Sequence, residues 1–291
     1  CPSNTKSEYA KSWITMIRCR LAQAITSLKN FRSVRVAVVG LWRFGKLQFL
    51  ELKLYDLALR LQTKASTKDS RVTIIGVNDQ DVIKHGWPLN DSRLARLLTR
   101  LEASGPRAIG VDLYRDLPEP RKGTELGEQK DEELLAELNF TLTNHSNIVF
   151  IYRLSPTSRA LSTESVIPDT PPPPVLANRP GQIGFTDLPE DDPIGKVVRR
   201  GLLFADDGAN DFTAFGLQLA TLYLQRENIH PQTDPLDTNC FRLGKLRCRP
   251  FEPNDGAYVN ADASGFQFIL DFKGPDPFPT VSADDVFSEK V

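Results

Sequence analysis

Apolar and polar residues alternate in blocks along residues 71–114, and the order of these blocks predicts a strand, a helix and a second strand. Residues 71–77 are rich in β-branched side chains and end in a polar cluster, which is typical of a strand. Leucines then recur at the spacing of one helical face, at Leu94, Leu97, Leu98 and Leu101. Residues 108–111 form a second apolar run that ends at Asp112. These blocks predict a βαβ unit with parallel, buried strands.

Polar residues indicate where the helix of this unit begins, and a glycine–proline pair indicates where it ends. The side chains of residues 90–92 can accept hydrogen bonds from the N–H groups of a first helical turn. Gly105 tolerates the left-handed conformation that ends many helices, and Pro106 cannot continue one. The sequence therefore predicts a helix between Asn90 and Gly105.

Apolar spacing elsewhere extends this pattern to most of the chain. Further helices are predicted at residues 1–30, 49–61, 131–138 and 212–228, and further strands at residues 148–152, 197–204 and 266–272. The segment from Phe241 to Phe272 has the turns and short runs of antiparallel strands. The predicted fold class is α/β, with a βαβ-based, mostly parallel central sheet flanked by helices and a C-terminal antiparallel strand region.

Composition and charge narrow the class of protein. The 291 residues are 40% hydrophobic and 25% charged, with a net charge of −1, which is ordinary for a globular protein. This charge gives no electrostatic argument for binding nucleic acid. The most apolar segment, from Val34 to Leu50, is interrupted by Arg35, Arg43 and Lys46, unlike an uncharged membrane helix. Because the chain starts at Cys1 and ends without a predicted element, we expect a piece of a longer protein.

Cys240 and Cys248 flank residues 241–247, which are predicted to form a hairpin. The length of its turn decides whether the two cysteines can form a disulfide. A two-residue turn at Gly244 and Lys245 pairs Cys240 with Arg249 and directs the two thiols to opposite faces. A three-residue turn from Leu243 to Lys245 places Cys240 directly opposite Cys248, where a bond could form. The sequence leaves both options open. No CxxC motif or nearby histidine accompanies these cysteines, so we predict no zinc site.

Two aspartates follow predicted strands and define a candidate ligand site. Asp79 and Asp112 come at the carboxyl ends of the strands, and ligands of open α/β sheets bind at that edge. We expect both as polar anchors, Trp87 as an apolar wall, and Arg199 as a counter-charge for a ligand anion or for one of the aspartates. The alternatives are helix capping for the aspartates, turn packing for Trp87 and a structural salt bridge for Arg199.

Known catalytic patterns are incomplete in this sequence. Residues 40–47 match a phosphate-binding loop except that Leu47 replaces the hydroxyl residue that binds magnesium. Neither G-x-G-x-x-G nor G-x-S-x-G occurs where it would be needed, and the three histidines lie far apart in the sequence. We therefore predict no enzyme, cofactor or metal. The alternative is a metal-assisted hydrolase using Asp79 and Asp112, with Asp81 or Asp116 as a third ligand.

Several blocks, in the same order, resemble the CHASE2 family of bacterial sensor domains. The blocks are residues 51–60, 72–79, 85–88, 105–112, 195–201, 212–224, 254–258 and 265–272. The most recognisable of them runs from Gly105 to Asp112. The amino-acid sequence of these blocks is most similar to that of cyanobacterial members. In that family the domain lies outside the cytoplasmic membrane, between membrane helices that lead to a histidine kinase, nucleotide cyclase or Ser/Thr kinase.

The resemblance implies an organisation and a role for this chain. Residues 1–49 would be a helical arm with a degenerate membrane anchor, and residues 50–291 the sensor domain. The expected location is the cell membrane, with the sensor domain extracytoplasmic (periplasmic). It would bind a small molecule or a periplasmic partner and signal to a kinase or cyclase. A structural dimerisation module, with the N-terminal helices as its interface, is the remaining alternative, and a homodimer is left open.

Overall fold

The computed structural model describes residues 32–61, 68–119, 128–154, 170–189, 191, 197–206, 210–274 and 276–290. The chain divides into two compact units. The smaller comprises residues 1–67, Phe251–Ala263 and Ile269–Pro275, and the larger comprises Lys68–Pro250, Ser264–Phe268 and Asp276–Val291. The helix predicted at residues 1–30 lies outside the described residues.

Two helices begin the described part of the smaller unit. Helix α1 (Arg32–Arg43) and helix α2 (Gln48–Leu61) are joined by a turn in which Gly45 has a φ of +70°. The turn divides the apolar segment 34–50, and α2 confirms the helix predicted at residues 49–61. Leu52 of α2 packs in a core cluster with Phe251, Ala257 and Tyr258. Among the helices of the described residues, none has both the length and the apolar composition that crossing a bilayer requires.

The remaining elements alternate along the rest of the chain. The helices are α3 (Asp79–His85), α4 (Asp91–Ala103), α5 (Glu128–Asn144), α6 (Phe215–Gln225) and α7 (Ala283–Phe287). The strands are β1 (Ile74–Gly76), β2 (Ile109–Val111), β3 (Ile148–Tyr152), β4 (Ile183–Phe185), β5 (Arg200–Asp206), β6 (Asp211–Thr213), β7 (Pro231–Thr233), β8 (Phe241–Leu243), β9 (Leu246–Cys248), β10 (Phe266–Ile269) and β11 (Thr280–Ser282).

Strands β2, β3 and β4 form a parallel sheet in that order. Ile148 and Phe150 of β3 are fully buried and share a core cluster with leucines of α4 and α5. The opposite face lies against α6, because a Cβ on Gly110 of β2 would come within 2.6 Å of the Leu219 side chain. Helices therefore cover both faces of this sheet, as predicted for parallel strands, and β2-α5-β3 is its βαβ unit.

The structure corrects the predicted partner of the first strand. Strand β1 pairs in parallel with β11, with Ile74 opposite Thr280, and not with β2. Neither β11 nor α7 was predicted, and α3 was not predicted between the first strand and the helix that begins near Asn90. Three-residue strands and short helices contain too few positions to show a periodicity, which is why the sequence pattern did not reveal them.

Antiparallel strands follow in the second half of the chain, as predicted. Strand β5 lies between β6 and β10, and β8 lies between β7 and β9. The strand predicted at residues 197–204 runs from Arg200 to Asp206, and the one predicted at 266–272 ends at Ile269. The helix predicted at residues 212–228 begins only at Phe215, because Asp211–Thr213 pairs with β5.

The β8–β9 hairpin has the two-residue turn. Leu243 lies opposite Leu246, with Gly244 at a φ of +61° between them. This register pairs Phe241 with Cys248, so Cys240 and Cys248 are not directly opposite each other. Both are free thiols, and the Cys240 Sγ donates a hydrogen bond to Asp237 Oδ2 at 3.2 Å.

Candidate functional site

A cavity of about 270 Å³ lies at the carboxyl ends of β2 and β3. Its lining residues are Trp87, Pro88, Asp112, Leu113, Tyr114, Arg115 and Ile151. Small-molecule sites in proteins typically enclose roughly 300–1,000 Å³, so this cavity suits a compact metabolite. Its position at the strand ends is the one that we predicted for a ligand site, and it brings together Trp87 and Asp112.

The turn after α3 presents Trp87 to this cavity. Gly86 ends the helix with a φ of +78°, a conformation that glycine adopts without strain. The Trp87–Pro88 peptide that follows is cis. The Trp87 side chain remains 51% exposed, whereas Leu89 is 1% exposed and packs against Leu97 and Val286. The buried Leu89 therefore anchors a turn whose aromatic residue stays accessible.

The segment after β2 contributes a carboxylate and a second aromatic ring. Asp112 follows Val111 and is exposed. Within the described part of the chain, its carboxylate has no hydrogen bond or ion pair. The Tyr114 ring is 45% exposed, and its hydroxyl lies 3.3 Å from Thr186 Oγ1, just beyond β4. This contact fixes the position of Tyr114, while Asp112 remains accessible to a ligand.

Arg115 and Asp91 form a buried ion pair next to the cavity. The two side chains are 4% and 1% exposed, and Arg115 Nε lies 3.6 Å from Asp91 Oδ1. Burial raises the pKa of the Asp91 carboxyl, against the effects of a backbone hydrogen bond from Glu119 and the Arg115 charge. Burial likewise lowers the pKa of Arg115, against the charges of Asp91 and Glu119. Arg115 Nη2 also donates to the Leu89 carbonyl, so this arginine holds the Trp87 turn in place.

The structure assigns Asp79 a place outside this lining. It is the exposed first residue of α3. The capping alternative applies to its neighbours, because the Asn78 side chain accepts from the N–H groups of Gln80 and Asp81. The buried Asp81 carboxylate accepts in turn from the Asn78 N–H at 2.9 Å. This capping box follows the end of strand β1, whereas the cavity lies at the ends of β2 and β3.

Arg199 is also outside the cavity lining. It is 3% exposed, and its backbone N–H donates to Asp191 Oδ2 at 3.0 Å. The neighbouring Arg200 forms an ion pair with the same carboxylate, with Nε 2.6 Å from Asp191 Oδ1. Arg200 Nη1 donates to Gln267 Oε1 at 2.7 Å, which connects β5 to β10. Sequence reasoning singled out Arg199 but missed Arg200, because the two adjacent arginines look alike in sequence.

The described residues include no group of three or more His, Cys, Asp or Glu side chains placed to share a metal ion. A metal-assisted hydrolase needs such a group around its metal. Asp79 and Asp112 therefore have no third ligand in the described part of the chain, at Asp81, Asp116 or elsewhere.

Helix α7, close to the end of the chain, packs against the helix that precedes the Trp87 turn. Asp284 Oδ1 lies 2.9 Å from His85 Nε2 and also pairs with Lys84. Hydrogen bonds from Lys84 and His85 lower the pKa of the Asp284 carboxyl. The Phe287 ring lies 4.6 Å from the His85 ring, measured between centroids. Since His85 is only two residues before Trp87, the cavity wall is connected to α7 through α3.

Comparison with known proteins identifies the family of this chain. A family model, the CHASE2 domain, matches residues 34–291. Neither the curated proteins nor the solved structures contain a match to the sequence. CHASE2 domains are extracytoplasmic sensory domains of membrane receptors. The match covers nearly the whole chain, including the cavity and the helix α7, and this chain therefore belongs to the CHASE2 family.

Proposed function

We propose that this chain is the extracytoplasmic, signal-binding domain of a bacterial membrane receptor. The observation that carries the proposal is the family match over residues 34–291. In the full receptor, the domain would pass a conformational signal to a cytoplasmic output module such as a kinase or a cyclase. This role requires binding and conformational change, and no catalysis.

The cavity at the ends of β2 and β3 is the proposed ligand site. It combines apolar side chains with an accessible carboxylate at Asp112 and an accessible indole at Trp87. Such a mixture of apolar walls and a few polar groups is typical of small-molecule sites. Trp87 and Asp112 remain ligand contacts in this proposal, whereas Asp79 and Arg199 are not part of the lining.

A sensor also needs a route from its ligand to the rest of the receptor. A ligand shifts a conformational equilibrium only if it binds one state more tightly than the other. A ligand that packs against Trp87 favours one position of the 86–89 turn. That turn continues directly from α3, and α3 is bound to α7 through Asp284 and Phe287. We propose that the signal reaches the C-terminal end of the domain by this route.

The proposal is tested by thermal unfolding of the full chain in the presence of a library of metabolites and divalent cations. A ligand that binds only the folded state raises the melting temperature, by an amount equivalent to about 2.7 kcal/mol at 100 times its Kd. The screen is repeated on Asp112→Asn and Trp87→Leu, which alter the cavity, and on Asp79→Asn, which does not.

A metabolite hit that is lost in the Asp112 and Trp87 variants, but retained in Asp79→Asn, is the expected result. A hit that survives both cavity variants would place the ligand elsewhere. A divalent cation that stabilises the wild-type chain through Asp79 and Asp112 would favour the hydrolase. A homodimer that responds to no compound would favour a structural module.

A further inference from the structure

Among the described residues that line the cavity, Asp112 is an acidic side chain with no charged partner. The guanidinium of Arg115 is balanced by Asp91, whose Oδ1 lies 3.6 Å from Arg115 Nε. Its Nη2 donates to the Leu89 carbonyl, whereas its Nε makes no hydrogen bond within the described residues. The Asp112 carboxylate lies on the same lining and has neither an ion pair nor a hydrogen bond within the described residues. A negatively charged ligand would therefore face repulsion, and a positively charged one attraction.

Two accessible aromatic rings strengthen this preference. Trp87 and Tyr114 are 51% and 45% exposed, and both line the cavity. An ammonium group within about 6 Å of an aromatic centroid is attracted by the negative face of the ring, and tryptophan gives the strongest attraction. Tyr114 is held by its hydroxyl at 3.3 Å from Thr186 Oγ1, which reduces the entropy lost when a ligand binds.

We infer that the cavity binds a small organic cation, a protonated amine or a quaternary ammonium on a compact apolar body. Asp112 neutralises the charge, Trp87 and Tyr114 contact the ammonium group, and Leu113 and Ile151 contact the apolar part. This inference rests on the proposed function, because it names the class of ligand that the sensor detects. The volume of about 270 Å³ limits the ligand to metabolite size.

Isothermal titration of the full chain with matched pairs of compounds tests this inference. Choline is compared with 3,3-dimethyl-1-butanol, which has nearly the same shape without the charge. Phenethylammonium is compared in the same way with 2-phenylethanol. We expect at least one cation to bind about tenfold or more tightly than its neutral partner, and its affinity to fall as ionic strength rises.

Matched variants identify the group responsible. Asp112→Asn removes the charge with little change of shape and is expected to weaken binding of the cation about tenfold. Trp87→Leu is expected to weaken it about three- to tenfold through loss of the aromatic face. Glu133→Gln is the control, because Glu133 is an exposed carboxylate of α5 that does not line the cavity. Circular dichroism confirms that each variant is folded.

The outcomes separate this inference from the proposed function. If neither cation binds, or if each neutral compound binds as tightly as its cation and Asp112→Asn has no effect, the cation inference is wrong. A neutral or anionic hit from the thermal screen that is lost in Trp87→Leu would then still support the sensor site. If the folded wild-type chain responds to no compound of any class, both the site and its cationic ligand are rejected.

Discussion

Gly184 determines how closely β4 and α6 can approach. A Cβ on this residue would lie 2.4 Å from Phe215 Cα and 2.6 Å from its backbone N. Backbone atoms cannot move aside as the end of a flexible side chain can, so any larger residue must push the helix away from the strand. The close packing of α6 on the β2–β3–β4 sheet therefore depends on a glycine, which has no side chain, at position 184.

Gly184→Ala is expected to destabilise the chain by about 1–3 kcal/mol, the usual effect of overpacking. Gly216→Ala is the matched control, since a Cβ on Gly216 meets nothing within 4 Å. This control should be neutral or stabilising by up to about 1 kcal/mol, because alanine reduces the entropy of the unfolded chain. Urea unfolding measures both. Equal effects of the two substitutions would contradict the packing argument.

Some residues at the cavity could be predicted from the sequence, and others could not. Asp112 was singled out because it follows a predicted strand, and Trp87 because it lies in a turn and could form an apolar wall of the same site. Arg115 and Asp91 were not assigned to the site, since their burial depends on each other and on the Leu89 carbonyl. A charged residue is usually exposed, and no local pattern distinguishes the few that are buried with a partner.

At the scale of elements, one aspartate joins the three strands β7, β8 and β9. Asp234 follows β7, and its side chain is fully buried. Its Oδ2 accepts hydrogen bonds from Arg242 Nε of β8 at 2.9 Å and from Arg247 Nε of β9 at 2.8 Å. Its Oδ1 accepts from the Leu236 N–H at 2.8 Å. These hydrogen bonds, led by that of Arg242, lower the pKa of Asp234 from 3.8 to about 2.

The low pKa of Asp234 predicts how the stability of the folded chain depends on pH. A carboxyl whose pKa is lower in the folded state stabilises the fold above its unfolded value, here 3.8, and this contribution is lost as the pH falls through about 2. Asp234→Asn should therefore unfold at a lower temperature than the wild type at pH 7, and the difference should shrink between pH 4 and pH 2. Thermal unfolding followed by circular dichroism at several pH values measures this difference.

Asp276→Asn is the control for the acid dependence, because the Asp276 side chain is 64% exposed and, within the described residues, pairs with the exposed Lys68. Exposed ion pairs contribute little to stability, so this variant should follow the wild type at every pH. An Asp234→Asn variant that differed from the wild type by the same amount at pH 2 and pH 7 would disprove the role of the carboxylate.

At the scale of the whole molecule, residues far apart in sequence hold α7 against the rest of the larger unit. Asp284 contacts Lys84 and His85 of α3, and its backbone N–H donates to Asp81 Oδ1 at 3.2 Å. Arg100 of α4 donates to the Val286 carbonyl at 3.2 Å. Helix α7 has only five residues, too few to be stable alone, so these contacts keep it folded.

Asp284→Asn removes the carboxylate charge that contacts both Lys84 and His85. Because α7 is then held less firmly, we expect amide hydrogens of residues 283–289 to exchange several-fold faster than in the wild type. Exchange in β3 should not change. Asp285→Asn is the control, since Asp285 pairs with the exposed Lys290 and not with α3. Hydrogen exchange measured by mass spectrometry resolves these segments. Unchanged protection of residues 283–289 in Asp284→Asn would show that the carboxylate does not hold α7 in place.

The sequence by itself determined the elements whose stability is local. The leucine spacing of α4, its cap at Asn90, its stop at Gly105 and the buried run of β3 were all readable, because each reflects neighbours within a few residues. The strand-end position of Asp112 followed from the same pattern. Because the blocks that resemble CHASE2 domains also lie in the same order along the chain, the family could be predicted from the sequence too.

Only the tertiary structure decided which of these elements meet. Strand β1 pairs with β11 about 200 residues later, and α3 binds α7 across a similar distance. Trp87 and Asp112 line one cavity while Asp79 lies in a helix cap outside it. The free energy of such contacts depends on surfaces that exist only when the chain is folded. A periodic pattern records that a residue is buried, and not which distant residue covers it.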